Sequence, residues 1–201
     1  LQVFLGVPDV EVVGLHHDLR TVLGLVGQLD PGSTRARELW VAIERCLDAL
    51  DARDVSGSAA ASRAALAEVL ARPASASAHR ITAVGHAHID SAWLWPLRET
   101  RRKCARTFAN VLRLMERDPE LVFACSQAQQ YEWVRDAHPA LFEQIRERVA
   151  EGRWVPVGGN WVEADGNITG GESLVRQFVH GQRFFREHFG VTCTEQWIPD
   201  V

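Results

Sequence analysis

Residues 81–96 read ITAVGHAHIDSAWLWP, and this stretch places His86, His88 and Asp90 at every second position. In extended backbone, alternate side chains share a face, so the three point the same way. Imidazole and carboxylate are the usual nitrogen and oxygen ligands of Zn²⁺, and an open catalytic site needs only three protein ligands. The plainer alternative is a pair of hydrogen-bonded histidines with a capping aspartate at a strand end. Trp93 and Trp95 follow at once. A flat indole can face the C–H surface of a sugar, but it can equally pack a loop. Trp93 is expected to be the exposed one and Trp95 the packed one.

Three further clusters carry chemistry. GGNWVEADGN (residues 158–167) puts Glu163 and Asp165 in one glycine-bearing loop, where they could serve acid/base work, ligate a metal or cap the following helix. SQAQQYEW (residues 126–133) supplies Gln127, Gln129 and Gln130 without an assignable role. WIPDV (residues 197–201) offers Asp200, a weak signal on spacing alone, because helix capping accounts for many aspartates at strand ends.

These clusters need elements to position them. Residues 1–78 read as a helical N-terminal region: apolar residues recur at three- and four-residue spacing over 15–29, 35–50 and 59–70, with Leu39, Ile43, Leu47 and Leu50 as one stripe. Ser33 is the expected N-cap of the second helix, and Ser56-Gly57-Ser58 begins the third. The first dozen residues alternate weakly, like the remnant of a strand, and residues 73–78 read as a linker. Beyond it, strands are expected at 80–85, 121–125, 154–157 and 195–198. Helices are expected at 98–116, 132–150 and 172–188, the last stopped by Gly190. That alternation is the signature of β-α-β units with a parallel sheet, open or closed into a barrel. In such folds ligands bind at the carboxyl ends of strands. All four polar clusters fall there.

Composition bounds the rest. With 46% hydrophobic and 24% charged residues the 201-residue chain is of globular type. A net charge of −4 argues against a nucleic-acid or membrane-surface partner, and no apolar run is long enough to span a bilayer. Cys46, Cys104, Cys125 and Cys193 form no C-x-x-C pair and are expected to be reduced thiols. The first residue is Leu1 and the last Val201, so the chain is expected to be a piece of a longer one.

Taken in order, HAHIDSAWLWP, SQAQQYEWV, GGNWVEADGN with GESLVRQFVHGQRFF, and WIPDV resemble the N-terminal part of the catalytic domain of family 38 glycoside hydrolases, the class II α-mannosidases. The likeness is to the bacterial and cytosolic branch and covers residues 79–201. It implies a truncated, barrel-like α/β catalytic domain, a mannose-containing oligosaccharide as substrate and a cytoplasmic location. Association into a homo-oligomer stays open. It further implies His88, Asp90 and Asp200 as ligands of Zn²⁺, or of a neighbour such as Co²⁺. Asp200 would also be the catalytic nucleophile, Trp93 would pack against the mannose, and His86 would support the ligands from behind. The implied chemistry is retaining hydrolysis through a covalent glycosyl-enzyme. The acid/base carboxylate and a further histidine ligand are expected outside these 201 residues, so the chain alone is expected to be inactive. Two other classes stand beside this one. A metal-dependent amidohydrolase would use both His86 and His88 as ligands, and a non-catalytic carbohydrate-binding or interaction module would bind sugar without metal.

Overall fold

The computed structural model describes residues 6–74 and 77–200. The chain divides into two compact units, Leu1–Arg80 and Ile81–Val201, each with its own apolar core.

Among the described residues the first unit is a bundle of three helices, α1 (Val10–Val26), α2 (Thr34–Asp48) and α3 (Val55–Ala71). Asp9 caps α1 by accepting from the Glu11 and Val12 amides, and Ser33 caps α2 through the Ala36 amide at 3.1 Å. The cap of α3 is Asp54 rather than the Ser56-Gly57-Ser58 run, since its carboxylate reaches the Gly57 amide at 3.0 Å. Leu15, Leu39, Ile43, Cys46 and Leu66 fill the core. Leu47, expected on the buried stripe, is 52% exposed, because Cys46 occupies the inward position one residue earlier. The strand remnant expected over the first dozen residues lies partly in 1–5, outside the described residues, and from Val10 the chain is helical. Ser75 and Ala76 of the expected linker also lie outside them, as does Val201.

The second unit is built on two short parallel strands, β1 (Phe123–Cys125) and β2 (Trp154–Pro156), in register Phe123 to Trp154. Around them lie α4 (Leu97–Arg117), α5 (Ala128–Ala137), α6 (Pro139–Ala150) and α7 (Gly171–Phe189). The class is therefore α/β with parallel pairing. Three expectations need correction. Residues 80–85 form no strand: Gly85 alone makes a parallel bridge to Phe123, its amide donating to Val122 O and its carbonyl accepting from Ala124 N, each at 2.8 Å. Residues 195–198 likewise form no strand. The helix expected over 132–150 is two helices, broken where Pro139 pushes His138 out of the helical region and itself starts α6.

The core beneath β1 explains why these strands stay together. Trp154 and Tyr131 are wholly buried, the Trp154 indole donates to the Tyr131 hydroxyl at 2.8 Å, and that hydroxyl donates to Cys125 O at 2.9 Å. Burying both polar tips is tolerable only because each finds a partner. Phe108, Phe184 and Phe185 close around the pair. Gly190 ends α7 in the left-handed region at φ 70°, as expected of a glycine C-cap. Among the described residues no helix is long and apolar enough to cross a membrane.

Candidate active site at the strand ends

The ends of β1 and β2, the segment after Gly85 and residues 197–200 bring the polar clusters to one place. The loop after β2 is held on two sides. Its carbonyls at Asn160 and Trp161 accept from the Ala128 and Gln129 amides, so backbone rather than a side chain caps α5. The Trp161 amide donates to Gln177 O of α7 at 2.9 Å, and the Val162 amide to Gln177 Oε1 at 2.8 Å. Gly181 lets α7 approach: a Cβ there would stand 2.3 Å from Gly159 O.

The segment after Gly85 is fastened from below. The side-chain amides of Gln127 and Gln130 both donate to Ile89 O, at 3.0 and 2.6 Å, and Ser91 Oγ donates to Gln127 Oε1 at 2.6 Å. Ile89 lies between His88 and Asp90, so the clamp fixes the backbone that carries both. Gln127 does this from φ 63°, the one non-glycine residue with positive φ among the described residues. Such a conformation persists only where surroundings compel it, and it clusters at functional sites. Sequence reasoning left the glutamines without a role. The only available signal was two polar residues directly after a wholly apolar strand.

His88, Asp90 and Asp200 converge. His88 Nε2 lies 3.5 Å from Asp90 Oδ1 and 3.4 Å from Asp200 Oδ2, and one ligand atom from each residue falls within 4.8 Å of the others. Two carboxylates and an imidazole at that spacing form a hard-to-borderline N/O donor set of the kind that suits zinc and its neighbours. His86 stands apart. Its Nδ1 lies 3.0 Å from Ala124 O and its Nε2 accepts from the Trp197 indole at 3.5 Å, so both nitrogens are engaged within the protein. That pairing makes Nδ1 the protonated nitrogen.

The two loop carboxylates separate as clearly. Asp165 Oδ1 accepts from the amides of Asn167 and Ile168, a local turn. Glu163 instead points back under the site. Ser126 Oγ donates to its Oε1, and its Oε2 lies 3.0 Å from His88 Nδ1. A cavity of about 370 Å³ opens over these groups, bounded by His88, Asp90, Glu163 and Asp200 and on its apolar side by Trp133 and Ile198. Trp93, 61% exposed, is not among the residues that line it. Trp95 is half-buried, its indole donating to Thr100 Oγ1 at 2.9 Å under the Lys103 ammonium.

A parallel α/β unit that gathers imidazole and carboxylates beside a cavity at its strand ends has the architecture of a ligand-binding catalytic domain. Residues 78–201 match the description "Glycosyl hydrolases family 38 N-terminal domain", and the chain belongs to that family. It is 58% identical over 125 residues to human alpha-mannosidase 2C1, covering 62% of this chain and 12% of that protein. Against mouse alpha-mannosidase 2C1 the identity is 42% over 200 residues, 100% of this chain and 19% of that protein. An alpha-mannosidase of Saccharomyces cerevisiae is 48% identical over 119 residues, 59% of this chain and 11% of that protein. The chain thus spans less than a fifth of the length of these relatives.

Proposed function

We propose that the chain contributes the metal-binding and nucleophilic half of the active site of a retaining α-mannosidase. The convergence of His88, Asp90 and Asp200 at the mouth of one cavity is the observation that carries this reading. The relatives named alpha-mannosidase support the substrate class. A closed β/α barrel, completed by strands from elsewhere in the protein, belongs to the same proposal.

The donor set fits a divalent ion, because the three ligand atoms are near enough to share one centre and His86 is spoken for elsewhere. His88 Nε2, Asp90 and Asp200 would hold zinc, which would supply Lewis-acid stabilisation and fixed positions for sugar hydroxyls. The chain's own groups do the rest. Asp200, 71% exposed at its side chain, offers a carboxylate to the anomeric carbon of a bound mannoside. A bond forms between carboxylate oxygen and that carbon as the bond to the leaving oxygen breaks, giving a glycosyl ester that water later hydrolyses. Trp133 and Ile198 present an apolar wall to the sugar, and Trp93 stands outside it, where it can meet a substrate that extends beyond the cavity.

The leaving oxygen also needs a proton. Of the carboxylates bounding the cavity, Asp90 and Asp200 are committed to the ion and Glu163 is directed at His88. No other carboxylate bounds that cavity among the described residues, and residues 1–201 alone are proposed to be inactive. The test is hydrolysis of an aryl α-mannoside by the protein that contains this chain. Activity lost on chelation, restored by zinc or cobalt and abolished by Asp200→Asn is expected. Undiminished turnover by Asp200→Asn overturns the reading.

A further inference from the structure

The geometry points to Glu163 as the positioning residue that sets the tautomer of His88, and so makes its Nε2 a metal ligand. The inference rests on the metal-site reading above.

His88 has two ring nitrogens with different surroundings. Nε2 faces Asp90 and Asp200, while Nδ1 faces Glu163 Oε2 at 3.0 Å. A neutral imidazole carries its proton on one nitrogen only and ligates through the other. With a carboxylate lying against Nδ1, the proton belongs there, and the lone pair is left on Nε2, directed at the donor cluster.

Glu163 is built for this role and for little else. Its side chain is 5% exposed, and taking a carboxylate so far from water is costly unless it is paired. Ser126 Oγ satisfies Oε1, and the Gln127 side chain receives the Glu163 amide at 3.4 Å, which fixes the backbone. Oε2 has no aligned hydrogen-bond donor; His88 Nδ1 is in contact but not yet in line with it. A buried carboxylate oxygen left in that state carries a desolvation penalty, which alignment of the ring relieves. Rotation that brings Nδ1–H onto Oε2 and Nε2 onto an ion thus satisfies both ends of the imidazole at once. Glu163 is not one of the three residues whose ligand atoms share the centre, so it acts through His88. The arrangement joins three segments: His88 follows Gly85, Ser126 follows β1, and Glu163 lies in the loop after β2.

The test measures zinc affinity by chelator competition in the protein, in Glu163→Gln, in Glu163→Ala and in His88→Ala. Glu163→Gln is expected to weaken zinc about 10–100-fold, the usual effect of losing a carboxylate behind a ligating histidine. The thermal midpoint of the metal-free form is expected not to fall, which a merely structural role would not allow. Glu163→Gln within twofold of the parent, with His88→Ala losing zinc, overturns the inference and leaves the metal site intact. Loss in Glu163→Gln as complete as in His88→Ala also overturns it, by making Glu163 a ligand. Zinc affinity unchanged in His88→Ala defeats the metal-site reading itself. Nitrogen-15 NMR of the zinc-loaded parent requires no variant: a proton on His88 Nδ1 is expected, and zinc bound through Nδ1 refutes the assignment.

Discussion

The Trp197 indole donates to His86 Nε2 across 3.5 Å, while Nδ1 of the same ring meets Ala124 O at 3.0 Å. A histidine held at both nitrogens has no lone pair to give a metal. His88→Ala is therefore expected to abolish zinc binding, while His86→Ala lowers it far less and acts through the displaced Trp197. Isothermal titration with zinc separates the two. Equal loss in both variants would favour an amidohydrolase-like site, and mannoside binding indifferent to metal would favour a binding module.

At Gly181, as at Gln177, α7 meets the loop that carries Glu163. Alanine there would place its Cβ 2.3 Å from Gly159 O and 2.4 Å from the Asn160 carbonyl carbon, both backbone atoms that cannot swing aside. Gly181→Ala is expected to cost about 1–3 kcal/mol of stability, as overpacking does. It should also weaken zinc by moving the loop. Denaturant unfolding measures the first effect and chelator competition the second.

His188 makes the second unit sensitive to acid. Burial against Phe142 and Phe184, and then the charge of Arg135, lower its pKa, while Glu132 and Glu187 oppose and Arg146 adds to the shift. Arg135 Nη1 lies 2.8 Å from Nε2, which must stay unprotonated to accept. The unfolded chain, with an ordinary value of about 6.5, takes up the proton first. The stabilisation is thus present above that pH and is lost as pH falls through the lower folded-state value. Thermal midpoints between pH 8 and 5 are expected to drop, and His188→Gln should flatten that part of the profile.

All four cysteines are free and buried. Desolvation pushes the Cys104 thiol up to about 12 and the Cys193 thiol to about 11, and it raises Cys46 and Cys125 as well. Since the thiolate is the reactive form, iodoacetamide at pH 8 is expected to leave the folded protein unmodified. Mass spectrometry should find all four alkylated once the chain is denatured.

Much of this was legible beforehand where one local rule decides. Gly190 stops α7 because a left-handed residue closes that cap, and Ser33 caps α2 because its hydroxyl, one residue before the first helical position, reaches the Ala36 amide. The break at Pro139 was equally local, and a continuous helix over 132–150 ignored the ring's clash with the preceding turn. The strand expected at 80–85 failed for another reason. A β-branched run becomes a strand only along a neighbour, and here only Gly85 meets one.

The sequence by itself determined the α/β class, the helices that Gly190 and Ser33 bound, and the family. Each of these depends on residue type and short-range spacing. Only the tertiary structure decided how nearly equivalent residues divide. His86 turns to Ala124 and Trp197 while His88 faces the carboxylates; Asp165 folds onto its own turn while Glu163 reaches His88. The physical reason is that a side chain's role follows from its partners. The partners of His86, His88 and Glu163 come from segments far away in sequence, which pattern along one chain does not bring together.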